Sequence, residues 1–199
     1  MKYVSRICCF ALGNFTYPGS RHQHLVACTI RDILEKDGGK HHAEKIEIFA
    51  QDPLYCQGTK KILKELYDII VVDNPEGFKM LNESTFVITV APLVPVRQLS
   101  VDLLNDVGGP AGMMCMEIRT DGTWINNRTY NVYDAASMRE LLTTDDPSPR
   151  VNIFKERCLS NGYLINDDEK NGMGFNIVYI TAAQNALYLR LKTEGSANT

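Results

Sequence analysis

The chain lacks the Cys-x-x-Cys pair, and no Cys/His spacing in it fits a zinc site. Its cysteines are Cys8, Cys9, Cys28, Cys56, Cys115 and Cys158, and four of them fall inside apolar patterns. They read as small buried hydrophobes in a reducing compartment, with no metal expected. Clustered Lys and Arg are also missing. Nucleic acid binding needs such clusters to displace counterions, so no nucleic-acid partner is expected. Lys60, Lys61 and Lys64 fall on a helical pattern as a solvated face. No segment reaches the roughly 18 apolar residues of a membrane span, which points to no membrane partner. The G-x-x-x-x-G-K-[ST] phosphate loop is absent, and Gly13 alone fits the glycine-rich dinucleotide fingerprint. Neither a Ser-His-Asp order nor paired carboxylates at useful spacing are present. An ordinary kinase, nicotinamide enzyme or triad hydrolase is therefore disfavoured.

What is present is an ordinary globular composition. The chain has 199 residues, a net charge of −3, 44% hydrophobic and 23% charged residues. A single domain of that size buries about 70% of the surface its unfolded chain exposes, so no staple is required. Lys2 and Arg6 precede a six-residue apolar run, Ile7–Leu12. The run is too short for a signal peptide and lacks a convincing cleavage site. It reads as a first strand, and the expected location is cytoplasmic, with the nucleus also compatible. The sequons at Asn14, Asn82 and Asn127 carry no meaning without secretion.

Four apolar runs recur: Ile7–Leu12, Ile46–Ala50, Ile69–Val72 and Phe86–Val90. They are short, rich in β-branched or aromatic residues, and do not alternate with polar ones. Strands covered on both faces have this pattern. Between them the sequence predicts helices at about 20–36, 58–67 and 96–105, and a short helix or turn at Pro75–Phe78. Gly38-Gly39 closes the first helix, and His41-His42 fall in a solvated loop. After about residue 110 the pattern changes. Met113–Arg119 and Thr123–Val132 flank Asp121-Gly122, a hairpin signal. Helices are expected at about 135–143, capped by Asp134, and at about Pro149–Ser160. A second hairpin is expected from Phe175–Thr181 and Leu187–Leu191. The predicted fold is α/β and Rossmann-like, with a mostly parallel sheet flanked by helices and an antiparallel/helical carboxy-terminal extension. It forms one domain over residues 1–193, with a core at 1–110, an extension at 111–193 and a disordered tail at 194–199.

Open α/β sheets bind ligands at the carboxyl ends of their strands, where helix dipoles and backbone N–H groups converge. Gly13, Asn14, Phe15, Ser20 and Gln23 follow the first run, Asp52 and Tyr55 the second, Asn74 and Glu76 the third, and Pro92 the fourth. All fall on that one predicted edge. Gly13, Asn14, Phe15, Ser20, Gln23, Asp52, Asn74 and Pro92 are the candidate ligand contacts. Asp52 is placed to accept hydrogen bonds from ribose hydroxyls. Asp52, Tyr55, Glu76 and His22 are the candidate acid–base groups, since carboxylates and His titrate near working pH. Each also has a plainer reading: turn residues, or in the case of His22 and His24 a helix surface. Cys56 would serve as a nucleophile only if a base or helix dipole lowered its pKa.

The ordered blocks Phe10-Ala11-Leu12-Gly13-Asn14-Phe15, Ser20-Arg21, Gln23, Asp52-Pro53, Asn74-Pro75-Glu76-Gly77 and Ala91-Pro92 resemble the domain called "sensitivity to red light reduced". They lie within residues 7–104, about half of the chain. The resemblance implies a Rossmann-like domain in a family linked to light and circadian signalling, microtubule-related phenotypes and haem metabolism. Two features depart from it. Leu93 and Val94 follow Pro92 where the family has His and Cys, and Thr59 stands where it has Glu. If those residues hold a metal, haem or catalytic water in relatives, this chain has lost them and is a divergent member.

These residues favour a regulatory or small-molecule-binding module whose partner is a small ligand or nucleotide-like cofactor. An enzyme of specialised metabolism using the same pocket, with the carboxy-terminal part as a lid, comes second. An S-adenosylmethionine-dependent methyltransferase comes third, on Gly13, the acid after the second strand and the late antiparallel hairpin. A protein-interaction surface built on Met113, Met114 and Met116 is a fourth, against the blander account of those residues as core. The sequence names no cofactor, and a homodimer is compatible with it.

Overall fold

The structure is a computed structural model that describes residues 4–37, 45–90, 92, 94–116, 118, 148–163 and 176–181. Its strands are β1 (Arg6–Phe10), β2 (Glu47–Gln51), β3 (Ile69–Val71), β4 (Thr85–Thr89), β5 (Gly112–Met116), β6 (Cys158–Tyr163) and β7 (Asn176–Thr181). Its helices are α1 (Pro18–Asp37), α2 (Gln57–Tyr67), α3 (Glu76–Lys79), α4 (Val96–Leu103) and α5 (Pro149–Glu156). The strands form one sheet in the order β3-β2-β1-β4-β5-β7-β6. The first five are parallel, and β7 runs antiparallel to both β5 and β6. This is the expected α/β, Rossmann-like architecture.

The apolar runs do not alternate because both faces of the sheet are covered. Ile7 and Cys9 of β1, Ile48 and Ala50 of β2, Phe86 and Ile88 of β4, and Met114 of β5 enter one core with α1 and α2. Cys8, Phe10, Phe49, Val87, Met113 and Cys115 enter the other, with Val96 and Val101 of α4 and Val151 and Phe154 of α5. Successive side chains of a strand point to opposite faces. Cys8 and Cys9 thus serve different cores, and all six cysteines are free thiols. Met113 and Met114 are buried core residues. Fully burying a side chain of this size contributes about 1.5–3 kcal/mol.

The helices begin and end for local reasons. α1 starts at Pro18, two residues before the expected Ser20, because proline's fixed φ suits the first helical position. α2 ends on Asp68, whose φ of 52° turns the chain and lets its N–H bond the Leu63 carbonyl. Lys45 and Lys64 both donate to the Asp68 carboxylate and lower its pKa to about 2. In α5, Pro149 occupies the first turn and the Ser148 hydroxyl accepts from Val151 N–H.

The second half differs from the sequence reading in two places. β5 continues the parallel sheet, so that sheet extends past residue 110 to Met116. β5 lies between β4 and β7, and β7 between β5 and β6. The hairpin partners expected at Thr123–Val132 and Leu187–Leu191 lie outside the described residues. The helix expected over Pro149–Ser160 stops at Glu156, and Cys158–Tyr163 is a strand. Residues 38–44, 123–147 and 182–199 lie outside the described residues. His41-His42, the helix expected at 135–143 and the tail at 194–199 fall there. Among the described residues, no helix is long and apolar enough to cross a membrane.

Candidate functional site

β1 and β4 are neighbours, but their connections leave in opposite directions. From β1 the chain crosses by α1 to β2 on one side. From β4 it crosses by α4 to β5 on the other, and the two helices cover opposite faces. The strand ends part at this switch point, beyond Phe10 and its register partner Thr89, where open α/β sheets bind their ligands.

The loop after β1 is shaped by its backbone. Ala11 has φ 57° and Gly13 has φ 74°, both in the left-handed region that a side chain disfavours. A Cβ on Gly13 would lie 2.6 Å from Ser20 Oγ. Only glycine lets the loop lie against the first turn of α1. Gly13 N–H donates to Asp52 Oδ2 at 2.7 Å, and Leu54 N–H donates to Asp52 Oδ1 at 2.8 Å. Ala11 N–H also reaches the Gln51 carbonyl. Asp52 thus ties the ends of β1 and β2 together with one bond on each carboxylate oxygen. Its remaining lone pairs can still accept from a ligand.

Gln51 extends the same ledge to β3. Its Nε2 donates to Asn74 Oδ1 at 3.2 Å, and its Oε1 accepts from Gly77 N–H at 2.9 Å. A Cβ on Gly77 would come within 2.8 Å of Gln51 Oε1 and 3.0 Å of Phe10 Cε1, so α3 can approach only with glycine there. Phe78 stacks on Phe10 with ring centroids 4.5 Å apart. Gly13, Asp52 and Asn74 are therefore linked through hydrogen bonds. Pro92 is buried, and it joins them at the same edge through the β1–β4 register. Thr89, at the end of β4, is buried with a hydroxyl that has no hydrogen-bond partner among the described residues.

Several predicted residues lie elsewhere. Phe15 is buried, edge-on to His24 at 5.3 Å and tilted against Tyr67 at 5.4 Å. It is a core residue as well as a loop residue. Asn14 makes a local turn, its Oδ1 accepting from Thr16 N–H and Oγ–H. Gln23 is half-buried on α1, and His22 is exposed. Glu76 is exposed and pairs with Lys79 at 2.6 Å. Tyr55 is buried, and its hydroxyl lies 2.7 Å from His24 Nε2. Asp52, Tyr55, Glu76 and His22 thus have separate surroundings, and only Asp52 and Tyr55 share a turn, through the bond from Tyr55 N–H to the Asp52 carbonyl.

His24, expected on the helix surface, is instead buried, and Gln51 and Thr89, given no role in the sequence reading, stand at the carboxyl edge. His24 Nδ1 lies 2.6 Å from the Ser20 carbonyl, which can only accept, so Nδ1 carries the proton. Nε2 is then the acceptor, and the Tyr55 hydroxyl donates to it. Burial lowers the His24 pKa, against raising contributions from the Ser20 carbonyl and Asp52. Burial, followed by Cys9 and Asp52, pushes the Tyr55 pKa up. Both groups are neutral at neutral pH, and together they pin α1 to the β2–α2 loop. Their sequence signal was the stripe His24, Ala27, Ile30, Ile33, Leu34, all buried. Gln51 and Thr89 had no signal beyond their positions at strand ends. Thr59, in the family's Glu position, is buried in the first turn of α2, with its hydroxyl 3.4 Å from Cys56 Sγ. That contact, followed by nearby backbone N–H groups opposing a small burial effect, lowers the pKa of the exposed Cys56 thiol. Among the described residues, no group of three His, Cys, Asp or Glu side chains could hold a metal ion.

No curated protein and no solved structure matches the chain. The family model of the SRR1 domain (sensitivity to red light reduced) matches residues 1–173, well beyond the blocks that first suggested it, and the chain belongs to that family.

Proposed function

We propose that this SRR1-domain protein binds a small, nucleoside-containing ligand at the carboxyl edge of its sheet, over the switch between β1 and β4. The carrying observation is the tie between Gly13 and Asp52 at 2.7 Å. It sets the bare backbone of Gly13 and a carboxylate side by side at the switch point. A ribose would donate its hydroxyls to Asp52, and the rest of the ligand would lie along the loop 11–17. The Thr89 hydroxyl, buried and unpartnered, supplies a further polar contact at the far wall. The protein's role on this reading is small-molecule binding or regulation.

A second reading is favoured by one feature of topology. Beyond β5 the sheet does not continue in parallel but inserts the antiparallel β7 before β6. This order is typical of S-adenosylmethionine-dependent methyltransferases, which place an acid after their second strand, as Asp52 stands here. The support is fold analogy, and fold alone does not fix chemistry. The specialised-metabolism reading with Asp52, Tyr55, Glu76 and His22 as acids and bases has less behind it, since these groups have separate surroundings.

Thermal unfolding with S-adenosylmethionine, nicotinamide and adenine nucleotides, and haem separates these readings. A ligand at 100 times its Kd adds about 2.7 kcal/mol, or about 5–10 °C for a chain of this size. A nucleoside ligand is expected to raise the Tm of the wild type and to act far less on Asp52→Asn, which keeps an acceptor for Gly13 but loses the charge. Stabilisation by S-adenosylmethionine alone selects the methyltransferase. If no nucleoside compound shifts the Tm, the proposal fails.

A further inference from the structure

The opposite edge of the sheet holds a second recess. α4 ends at Leu103, a 3-10 turn covers Asn105–Val107, and β5 starts at Gly112. α5 ends at Glu156 and β6 starts at Cys158. β5 and β6 run in the same sense, because each pairs antiparallel with β7. All these junctions therefore sit at the amino end of the sheet, away from Gly13 and Asp52. The recess between them has a volume of about 290 Å³, and Asn105, Gly108, Gly109, Arg150, Phe154 and Arg157 help to line it. That is near the lower end for a small-molecule pocket.

Its shape depends on two glycines. Gly108 and Gly109 have φ of 84° and 96°, a region that L side chains rarely adopt. A Cβ on Gly109 would lie 2.7 Å from Phe154 Cδ2, so the backbone passes directly over that ring. A Cβ on Gly108 would lie 3.5 Å from Arg157 Nη1, so the guanidinium rests close to the same backbone. α5 sets Arg150 and Arg157 two turns apart, on one side of the helix. Arg150 Nη1 donates to Asp102 Oδ1 at 3.2 Å, which leaves most of its N–H donors free. Among the described residues, the Arg157 guanidinium has no ion pair or hydrogen bond; its backbone N–H bonds the Phe154 carbonyl at 3.1 Å. Asp102 pairs with Arg150 alone, and the charged residues lining the recess are Arg150 and Arg157, so it carries an excess positive charge. Val101, Ile153 and Phe154 give it an apolar side.

We propose that this recess binds a small organic anion. Its carboxylate or phosphate head would sit on Arg157 and Arg150, and its apolar body against the exposed Ile153 side chain. A guanidinium presents paired N–H donors that match either head group. The proposal is independent of the carboxyl-edge site.

The test is an NMR titration of the full chain with phenyl phosphate and with benzoate. Inorganic phosphate probes the head alone, and phenol serves as the uncharged control. Saturable shifts are expected at the Gly108 and Gly109 amides and along α5 with one or both organic anions, weaker shifts with inorganic phosphate, and none of comparable size with phenol. The tighter of the two anions identifies the head group. Arg157→Ala is expected to weaken binding by about tenfold or more, as for loss of one or two charge-assisted hydrogen bonds. Arg157→Lys is expected to fall between, and Asp52→Asn to bind as the wild type does. Arg157→Gln keeps most of the stem and replaces the alanine variant if that one unfolds. Absence of saturable shifts with both anions, equal binding of phenol, or undiminished binding in Arg157→Ala and Arg157→Gln would overturn the proposal.

Discussion

His24 has both ring nitrogens committed, one to a carbonyl and one to a buried hydroxyl. It is suited to holding a structure together and poorly suited to exchanging protons. Its pKa in the folded chain lies below the ordinary 6.5 because burial disfavours the charged ring. Above pH 6.5 the ring is neutral whether the chain is folded or not, and its contribution to stability is complete. Below pH 6.5 the unfolded chain takes up a proton that the folded chain refuses, so stability falls. The Tm of the wild type is expected to drop as the pH falls below 6.5, and His24→Gln to show a shallower drop. Equal slopes would mean that His24 is not the group responsible. Tyr55→Phe leaves Nε2 without its donor and is expected to cost about 1–3 kcal/mol in chemical denaturation. The cysteines give a second residue-level contrast. Burial pushes Cys8 and Cys158 up to about 12 and raises Cys9 well above the ordinary thiol value, whereas the exposed Cys56 is lowered. Iodoacetamide labelling followed by mass spectrometry should modify Cys56 first, since the thiolate is the reactive species. Prior labelling of Cys8 or Cys9 would contradict the burial assigned to β1. His22 and His24 show what a sequence conveys at this scale. Both lie near the start of one helix, and only their position relative to the apolar stripe separates a solvent-facing ring from a buried one.

The elements differ in how openly the sequence announces them. β1, β2, β3 and β4 are continuous apolar runs bounded by turn residues, and the structure places them within two residues of the reading. β6 was concealed. Cys158-Leu159-Ser160-Asn161-Gly162-Tyr163 has few β-branched residues and follows a well-capped helix start, so local pattern extended α5 through it. Its strand character comes from pairing with β7, about twenty residues further on, which no local signal encodes. The loop after β1 was legible in position, though its tie to Asp52 was not, because side-chain contacts across 39 residues leave no periodicity. That loop carries a prediction. Gly13→Ala forces a side chain into the left-handed region and against Ser20 Oγ at 2.6 Å. Such strain costs about 1–3 kcal/mol. Urea unfolding is expected to show that loss, and no measurable change would mean that the loop adopts another path in solution.

At the scale of the whole molecule, the sheet sets the two proposed sites at opposite edges. The carboxyl edge gathers Gly13, Asp52, Gln51 and Asn74, and the amino edge gathers Arg150, Arg157 and the Gly108-Gly109 turn. The parallel half was legible as a class of fold because doubly covered strands and amphipathic helices leave strong local patterns. The order of the last three strands was not, because it depends on which edges are free when the chain returns. The protection of backbone amides should follow this architecture. β1 and β4, each flanked by strands on both sides and by helices on both faces, are expected to exchange most slowly. The most direct test of the carboxyl-edge site is hydrogen exchange of the full chain with and without saturating S-adenosylmethionine and adenine nucleotide. A nucleoside bound over the β1–β4 switch should slow exchange in residues 11–20, 52–57 and 90–96 and leave 105–112 unchanged. Slowing confined to 105–112 and 150–158, or no slowing anywhere, would contradict a ligand site built on Gly13 and Asp52.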